Sequence, residues 1–268
     1  MENEPHPLPQ IAASPNPAPV GDTASGAGKP GLIAPWWHLL LIIALVLFNS
    51  FAGAFGKKNV IAPGGSKLFL YGGTFFFELI LILLIWFAIR HRGVTMRELI
   101  GGRWDSFESF LLDVAIAAIF FVAAQAILVG LRMALGVLDL HNTSQQIAQI
   151  KKTLGPLIPK TGIEVTAFIV LSVFAGLFEE IIFRGYLQRQ FAAMGKNAWA
   201  GIIGSAVIFG LGHGYQGNRM MIVIAVYGAL FGILVHMRKS LRPGMMAHAF
   251  QDAFSGIALF FFSKSGMM

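Results

Sequence analysis

Two adjacent glutamates and an arginine interrupt an apolar run in LFEEIIFRGYLQRQF, residues 177–191. An ionisable side chain inside a membrane span costs about 3 kcal/mol on insertion scales, which makes it a functional candidate by default. At about 100° per residue, Glu180 and Arg184 are i,i+4 neighbours with the acid N-terminal, the better orientation for a helix ion pair. Glu179 is five residues from Arg184 and points well away from it. The ion pair explains Glu180 and leaves Glu179 without a local partner. A carboxylate placed in this way can take a proton from water as a general base.

Two further spans carry groups of the same kind. SAVIFGLGHG (205–214) puts Phe209 and His213 on one helical face, and RPGMMAHAFQDAF (242–254) does the same for His248 and Asp252. A histidine at a helix end can be merely interfacial. A His–Asp pair on a buried face can be a structural hydrogen bond, a metal site or a catalytic pair. Measured from the loop between the helices ending near Phe191 and starting near Ala198, Glu179 lies about 18 Å deep and His213 about 23 Å. On the same basis His248 lies about 8 Å and Asp252 about 14 Å deep, and long side chains bring all four within reach of one cavity.

The elements that must position them are membrane helices. Of the 268 residues, 56% are hydrophobic and only 12% charged, about half the charged share of a soluble domain. The mean hydropathy is +0.68. Seven apolar runs approach the ~20 residues that cross a bilayer. They are Trp36–Phe55, Leu68–Ile89, Phe107–Leu131, Ile163–Phe183, Ala198–His213, Met220–His236 and Pro243–Phe262. The expected fold is all-α: a polytopic helical bundle of about 7–8 spans with interfacial amphipathic helices.

TMRE, Thr95–Glu98, has capping-box spacing and opens a short interfacial helix. In NTSQQIAQIKKTLGPL (142–157), any of Asn142, Thr143 and Ser144 can cap a helix that aligns Ile147, Ile150 and Leu154 opposite Lys151 and Lys152. That helix is expected to lie on the membrane. Residues 1–35 hold eight of the 12 prolines and are expected to be a disordered tail. Residues 36–162 are expected to form N-terminal transmembrane helices with the interfacial helix, and residues 163–262 the part of the bundle that carries the charged spans.

The net charge of +7 comes from Lys and Arg in the gaps between apolar runs, which suits lipid headgroups and argues against nucleic-acid binding. The tail and even-numbered gaps carry 11 of the 20 Lys and Arg residues, an imbalance that favours a cytoplasmic N-terminus. There is no cysteine, so disulfides, thiolate metal sites and a cysteine nucleophile are excluded. Among other span residues, Glu78 must find a partner or face a cavity. Asp113 and Glu164 are placed where water reaches span ends, and His38 and His236 read as interfacial.

Taken together, EEIIFR fits EExxxR, FGLGH fits FxxxH and HAFQD fits HxxxN/D. In this order on a polytopic chain, the motifs resemble the CAAX prenyl protease and bacteriocin-processing (CPBP, or Abi) family of intramembrane endopeptidases, across about residues 163–262. The resemblance implies that Glu179 and His213 activate a water, that His248 and Asp252 stabilise the oxyanion, and that Glu180 and Arg184 are structural, with Phe209 in support. It implies a peptide or protein substrate presented with membrane lipid, and no cofactor. Asp252 departs from the asparagine of the eukaryotic members. An ionised carboxylate would repel an oxyanion, so Asp252 must donate as an acid, orient His248 or bind a metal.

A zinc site of Glu179, His213 and His248 is the alternative chemistry. A transporter or an immunity protein is the non-proteolytic one. The short chain without an ER-retention ending points to a bacterial inner membrane. Substrate identity and oligomeric state have no local signal.

Overall fold

A computed structural model describes residues 31–56, 66–138 and 143–265. The tail up to residue 30 and the capping candidate Asn142 lie outside the described residues. Those described form helices and their connections, with no strand among them. In order they are α1 (Trp36–Gly56), α2 (Leu68–Arg90), α3 (Met96–Ile100), α4 (Phe107–Ala134), α5 (Thr143–Leu154) and α6 (Gly162–Glu179). A π-helical segment, Glu180–Leu187, then leads into α7 (Gln188–Gly195). There follow α8 (Ala198–Gly212), a 3-10 turn (Gly214–Gln216), α9 (Asn218–Arg238) and α10 (Arg242–Lys264).

All seven apolar helices expected from the sequence are present. Five are long and apolar enough to cross a membrane: α2, α4, the continuous 34-residue rod Gly162–Gly195, α9 and α10. Two shorter apolar helices, Trp36–Ala52 and Ala198–Gly212, accompany them. Large apolar side chains such as Phe69, Ile119 and Met237 face outward, as lipid requires and water would penalise.

Local signals set the ends. Thr95 and Glu98 form the expected capping box at α3, and hydrogen bonds from Thr95 hold the Glu98 carboxyl below its ordinary range. Thr161 caps α6 through the Glu164 amide, Asn197 caps α8 through the Ala200 amide, and Pro243 occupies the first turn of α10.

Helix ends gather on two opposite faces. On one, Gln190 of α7 bonds the backbone of Ile33 and Ala34 before α1, Arg189 donates to the carbonyls of Glu98 and Leu99, and Asp113 receives Arg238 and Arg242. On the other, Glu164 accepts from the Lys67 amide, Lys67 Nζ donates to the carbonyls of Gly155 and Pro156, and Arg219 donates to that of Gly136. We call these the α3/α7 face and the α5 face.

Three expectations about polar residues change here. Asp113 is fully buried, and Trp104 also donates to it. Glu164 is buried and accepts the Lys67 and Lys160 amides. His38 is buried too, with Nδ1 2.7 Å from the Tyr186 hydroxyl. In each case a group placed at the wet rim by its position in the chain is covered by a neighbouring helix or loop that supplies its hydrogen bonds.

Two glycines permit close helix contacts beside the candidate site residues. A Cβ on Gly176 of α6 would lie 2.5 Å from the Ala249 amide nitrogen of α10, and one on Gly210 of α8 would lie 2.6 Å from the Met221 carbonyl oxygen of α9. Small residues at membrane helix interfaces let backbones approach in this way.

Candidate active site

The rod that carries the two glutamates changes pitch at them. α6 ends at Glu179 and the backbone from Glu180 to Leu187 is π-helical, with all eight of its residues buried. The wider turn was not expected from the sequence, and such segments recur at functional sites. The expected ion pair survives it, with Arg184 Nη1 2.9 Å from Glu180 Oε1 and both side chains buried. Arg184 Nη2 also donates to the Gly228 carbonyl (3.3 Å), and the guanidinium carbon lies 4.3 Å from the Phe209 ring centroid and 5.0 Å from that of Phe231. Arg184 therefore ties the glutamate helix to α8 and α9.

Glu180 has a second partner that its own helix gave no sign of. His248 Nδ1 lies 3.1 Å from Glu180 Oε1. A carboxylate held by Arg184 accepts, so Nδ1 carries the proton and the ring is fixed with Nε2 outward. Nε2 then faces two carboxyl groups, Glu179 Oε2 at 3.5 Å and Asp252 Oδ2 at 3.8 Å. Orienting His248, one of the roles open to Asp252, is performed by Glu180. Glu179 Oε2 itself is buried and makes no hydrogen bond among the described residues.

His213 reaches the same space because α8 is short. Its 15 residues span about 22 Å, less than the ~30 Å hydrocarbon core, so the helix stops inside the bundle. Its last carbonyls then need donors. Ser50 of α1 donates to the Leu211 carbonyl (2.8 Å) and accepts from the Gly214 amide (3.1 Å). His213 Nδ1 lies 2.8 Å from the Phe209 carbonyl oxygen. A carbonyl only accepts, so Nδ1 holds the proton and, in the neutral ring, Nε2 keeps its lone pair. Phe209 fills the space between Arg184 and the His213 ring, whose centroid is 4.8 Å away.

Glu179, His213, His248 and Asp252 all line one cavity of about 770 Å³. Its wall continues past them to Lys67 and the 153–160 segment on the α5 face. Depth along the chain put His248 some way from Glu179 because it assumed that helices start level. α10 does not: its first residues sit beneath α3, with the Leu241 amide bonded to the Ile100 carbonyl.

Two cavity residues extend the predicted set. Glu78, which the sequence required to face a cavity or a partner, is buried there with Oε2 unbonded. Tyr227 carries a buried, unbonded hydroxyl in the same wall, and no motif singled it out. Among the described residues no three His, Asp or Glu side chains are grouped closely enough to hold a metal ion.

Residues 161–254 match the family described as type II CAAX prenyl endopeptidase Rce1-like. The match begins at the N-cap of α6 and ends two residues beyond Asp252, so it includes all three motifs. Searches of curated proteins and of solved structures returned no match.

Proposed function

We propose that this chain, whose residues 161–254 match the type II CAAX prenyl endopeptidase Rce1-like family, hydrolyses peptide bonds with a water activated by Glu179 and His213. That match supports a protease, and the five helices long and apolar enough to cross a membrane support a multi-pass membrane protein. The substrate is a membrane-associated peptide or protein, of the prenylated or leader-peptide kind.

Water held between Glu179 and the bare Nε2 of His213 loses a proton to the carboxylate as it attacks the peptide carbonyl. The proton later passes to the leaving amine. Negative charge developing on the carbonyl oxygen is met by a proton carried by His248 Nε2 or by Asp252. An ionised Asp252 beside a neutral imidazole would oppose that charge, so the donated proton lies on one of the two. Arg184 and Glu180 hold the constellation in place without touching substrate. No metal takes part in this reading.

One observation carries it: a carboxylate sits in a cavity of the helical bundle, with an oxygen that no described residue bonds, 3.5 Å from an imidazole nitrogen that another carboxylate has oriented. The test compares released peptides and membrane proteomes from cells expressing the wild type, Glu179→Gln or Glu179→Ala. A general base contributes about 10²–10⁴-fold, so turnover should fall by that much while the thermal midpoint of the purified protein stays put. Full activity in Glu179→Gln would end the proposal, and loss of wild-type activity on chelation would end its metal-free form.

A further inference from the structure

The mechanism leaves one buried acid of the cavity unused. Glu78 of α2 is 7% exposed, lines the same cavity as Glu179, and has an oxygen, Oε2, that no described residue bonds. It lies outside the matched region 161–254 and outside all three motifs. α2 and α6 run side by side in the same direction, and their pairings set the level of Glu78. The Lys67 amide meets the Glu164 carboxylate at 2.9 Å, and the Tyr71 ring meets that of Phe168 with centroids 5.4 Å apart. Phe75 then packs against both Phe174 (5.0 Å) and Phe178 (5.8 Å). Phe75 therefore sits level with the turn between those two rings, and Glu78, three residues on, sits level with Glu179. The charged groups that face Glu78 are Glu179, then His248 and Asp252 of α10, with the Tyr215 phenol beyond the end of α8.

Glu179 is approached from two flanks. Phe174 and Phe178 turn one side of α6 to α2, and Gly176, which meets Ala249 of α10, lies on the other side at about 100° per residue. His248 thus comes to Glu179 from the α10 flank and Glu78 from the α2 flank. In a tetrahedral intermediate the oxygen and the nitrogen leave the attacked carbon in different directions. The oxyanion groups, His248 and Asp252, are on α10, which leaves the α2 flank for the nitrogen. Two carboxyl groups at one level of a low-dielectric cavity share a proton, since both cannot ionise there cheaply. The base has to be the ionised one. We propose that Glu78 holds the shared proton and gives it to the leaving amine nitrogen, a role that deepens the proteolytic reading and rests on it. The water oxygen bonds to the carbonyl carbon as its proton goes to Glu179. The carbonyl then re-forms and the C–N bond breaks, its electron pair staying on nitrogen, which takes the proton of Glu78. Glu179 passes its own proton to the bared Glu78 carboxylate, so that the water proton replaces the one the amine took and both acids recover their starting forms.

The experiment has two arms, both on the full chain in phosphatidylcholine nanodiscs. Infrared spectra of the wild type and Glu78→Gln at neutral pH should differ by the carbonyl band of one protonated carboxyl, present in the wild type, moved by heavy water and lost in the variant. Absence of such a difference would mean that Glu78 is ionised, and would overturn the proposal. In the second arm, a peptide found in the released-peptide comparison is set beside the same acyl segment as its para-nitrophenyl ester, whose leaving group departs without a proton. Glu78→Gln should lower peptide cleavage by about 10²–10⁴-fold and ester cleavage far less, and Glu78→Asp should restore part of the peptide cleavage. Glu179→Gln should lower both. Peptide cleavage by Glu78→Gln at the wild-type rate, or an equal loss on peptide and ester, would overturn the role of Glu78 and leave Glu179 as the base. A Glu179→Gln protein that cleaves both substrates as the wild type does would end the proteolytic reading and this role with it, as would a wild type that cleaves neither.

Discussion

Each candidate histidine is set by a group that does no chemistry. His248 is turned by Glu180, Glu180 is held by Arg184, and His213 is locked by a carbonyl of its own helix. Arg184 matters most in this set because it is buried and charged. Removing one member of a buried ion pair strands the other, at a cost of about 3–5 kcal/mol, whereas removing both charges costs much less. Arg184→Leu is therefore expected to unfold at much lower denaturant than the wild type, and Glu180→Leu/Arg184→Leu to recover much of the difference. Both variants should be inactive, Arg184→Leu because Glu180 loses the cation that holds it and the double variant because the His248 ring loses Glu180. Chemical unfolding followed by tryptophan fluorescence, alongside peptide release, checks the set.

At the level of elements, the site depends on how closely three helices approach. α6 and α10 meet at Gly176 and Ala249, one turn before Glu179 and one residue after His248. A side chain there would push the helices apart where the Glu179–His248 gap is only 3.5 Å. Gly176→Val is expected to cost about 1–3 kcal/mol in stability and to lower kcat more than affinity, as a misplaced reacting pair should. Steady-state kinetics with a thermal melt would show it. A Gly176→Val enzyme with wild-type kcat would mean that the glutamate and histidine need not be so close. α8 contributes by stopping early. Its premature end brings a histidine to mid-bundle, and Ser50 of α1 bonds the freed backbone.

For the whole molecule, the cavity wall continues to the α5 face, while the ion-paired helix ends collect on the α3/α7 face. With the N-terminus in the cytoplasm, as the Lys and Arg distribution proposes, substrate would meet the site from the far side of the membrane. The chain has no cysteine, so single introduced thiols report sidedness cleanly. Ser265→Cys at the end of α10 should react with an impermeant maleimide in intact cells. Arg103→Cys before α4 should react only after permeabilisation, and the opposite pattern would invert the topology.

Much of this was legible in the residues. Periodicity and hydropathy place all seven apolar helices, because lipid forces each span to satisfy its own backbone. Helix geometry alone joins Glu180 to Arg184 and sets Glu179 apart, since i,i+4 spacing is a local property. Contacts between helices were not legible. The Glu180–His248 bond joins residues 68 apart, the recess of α10 depends on α3, and Asp113, Glu164 and His38 are covered by elements remote in the chain. The π-helical turn, the capping by Ser50 and the convergence of Glu78, Arg132 and Tyr227 on one cavity belong to the same class. The chain by itself determined which segments are helices and which side chains carry charge into the membrane, because those follow from near neighbours and from the solvent. Only the tertiary structure decided which of those charges meet, because that depends on where helices stop and how closely small residues let them approach.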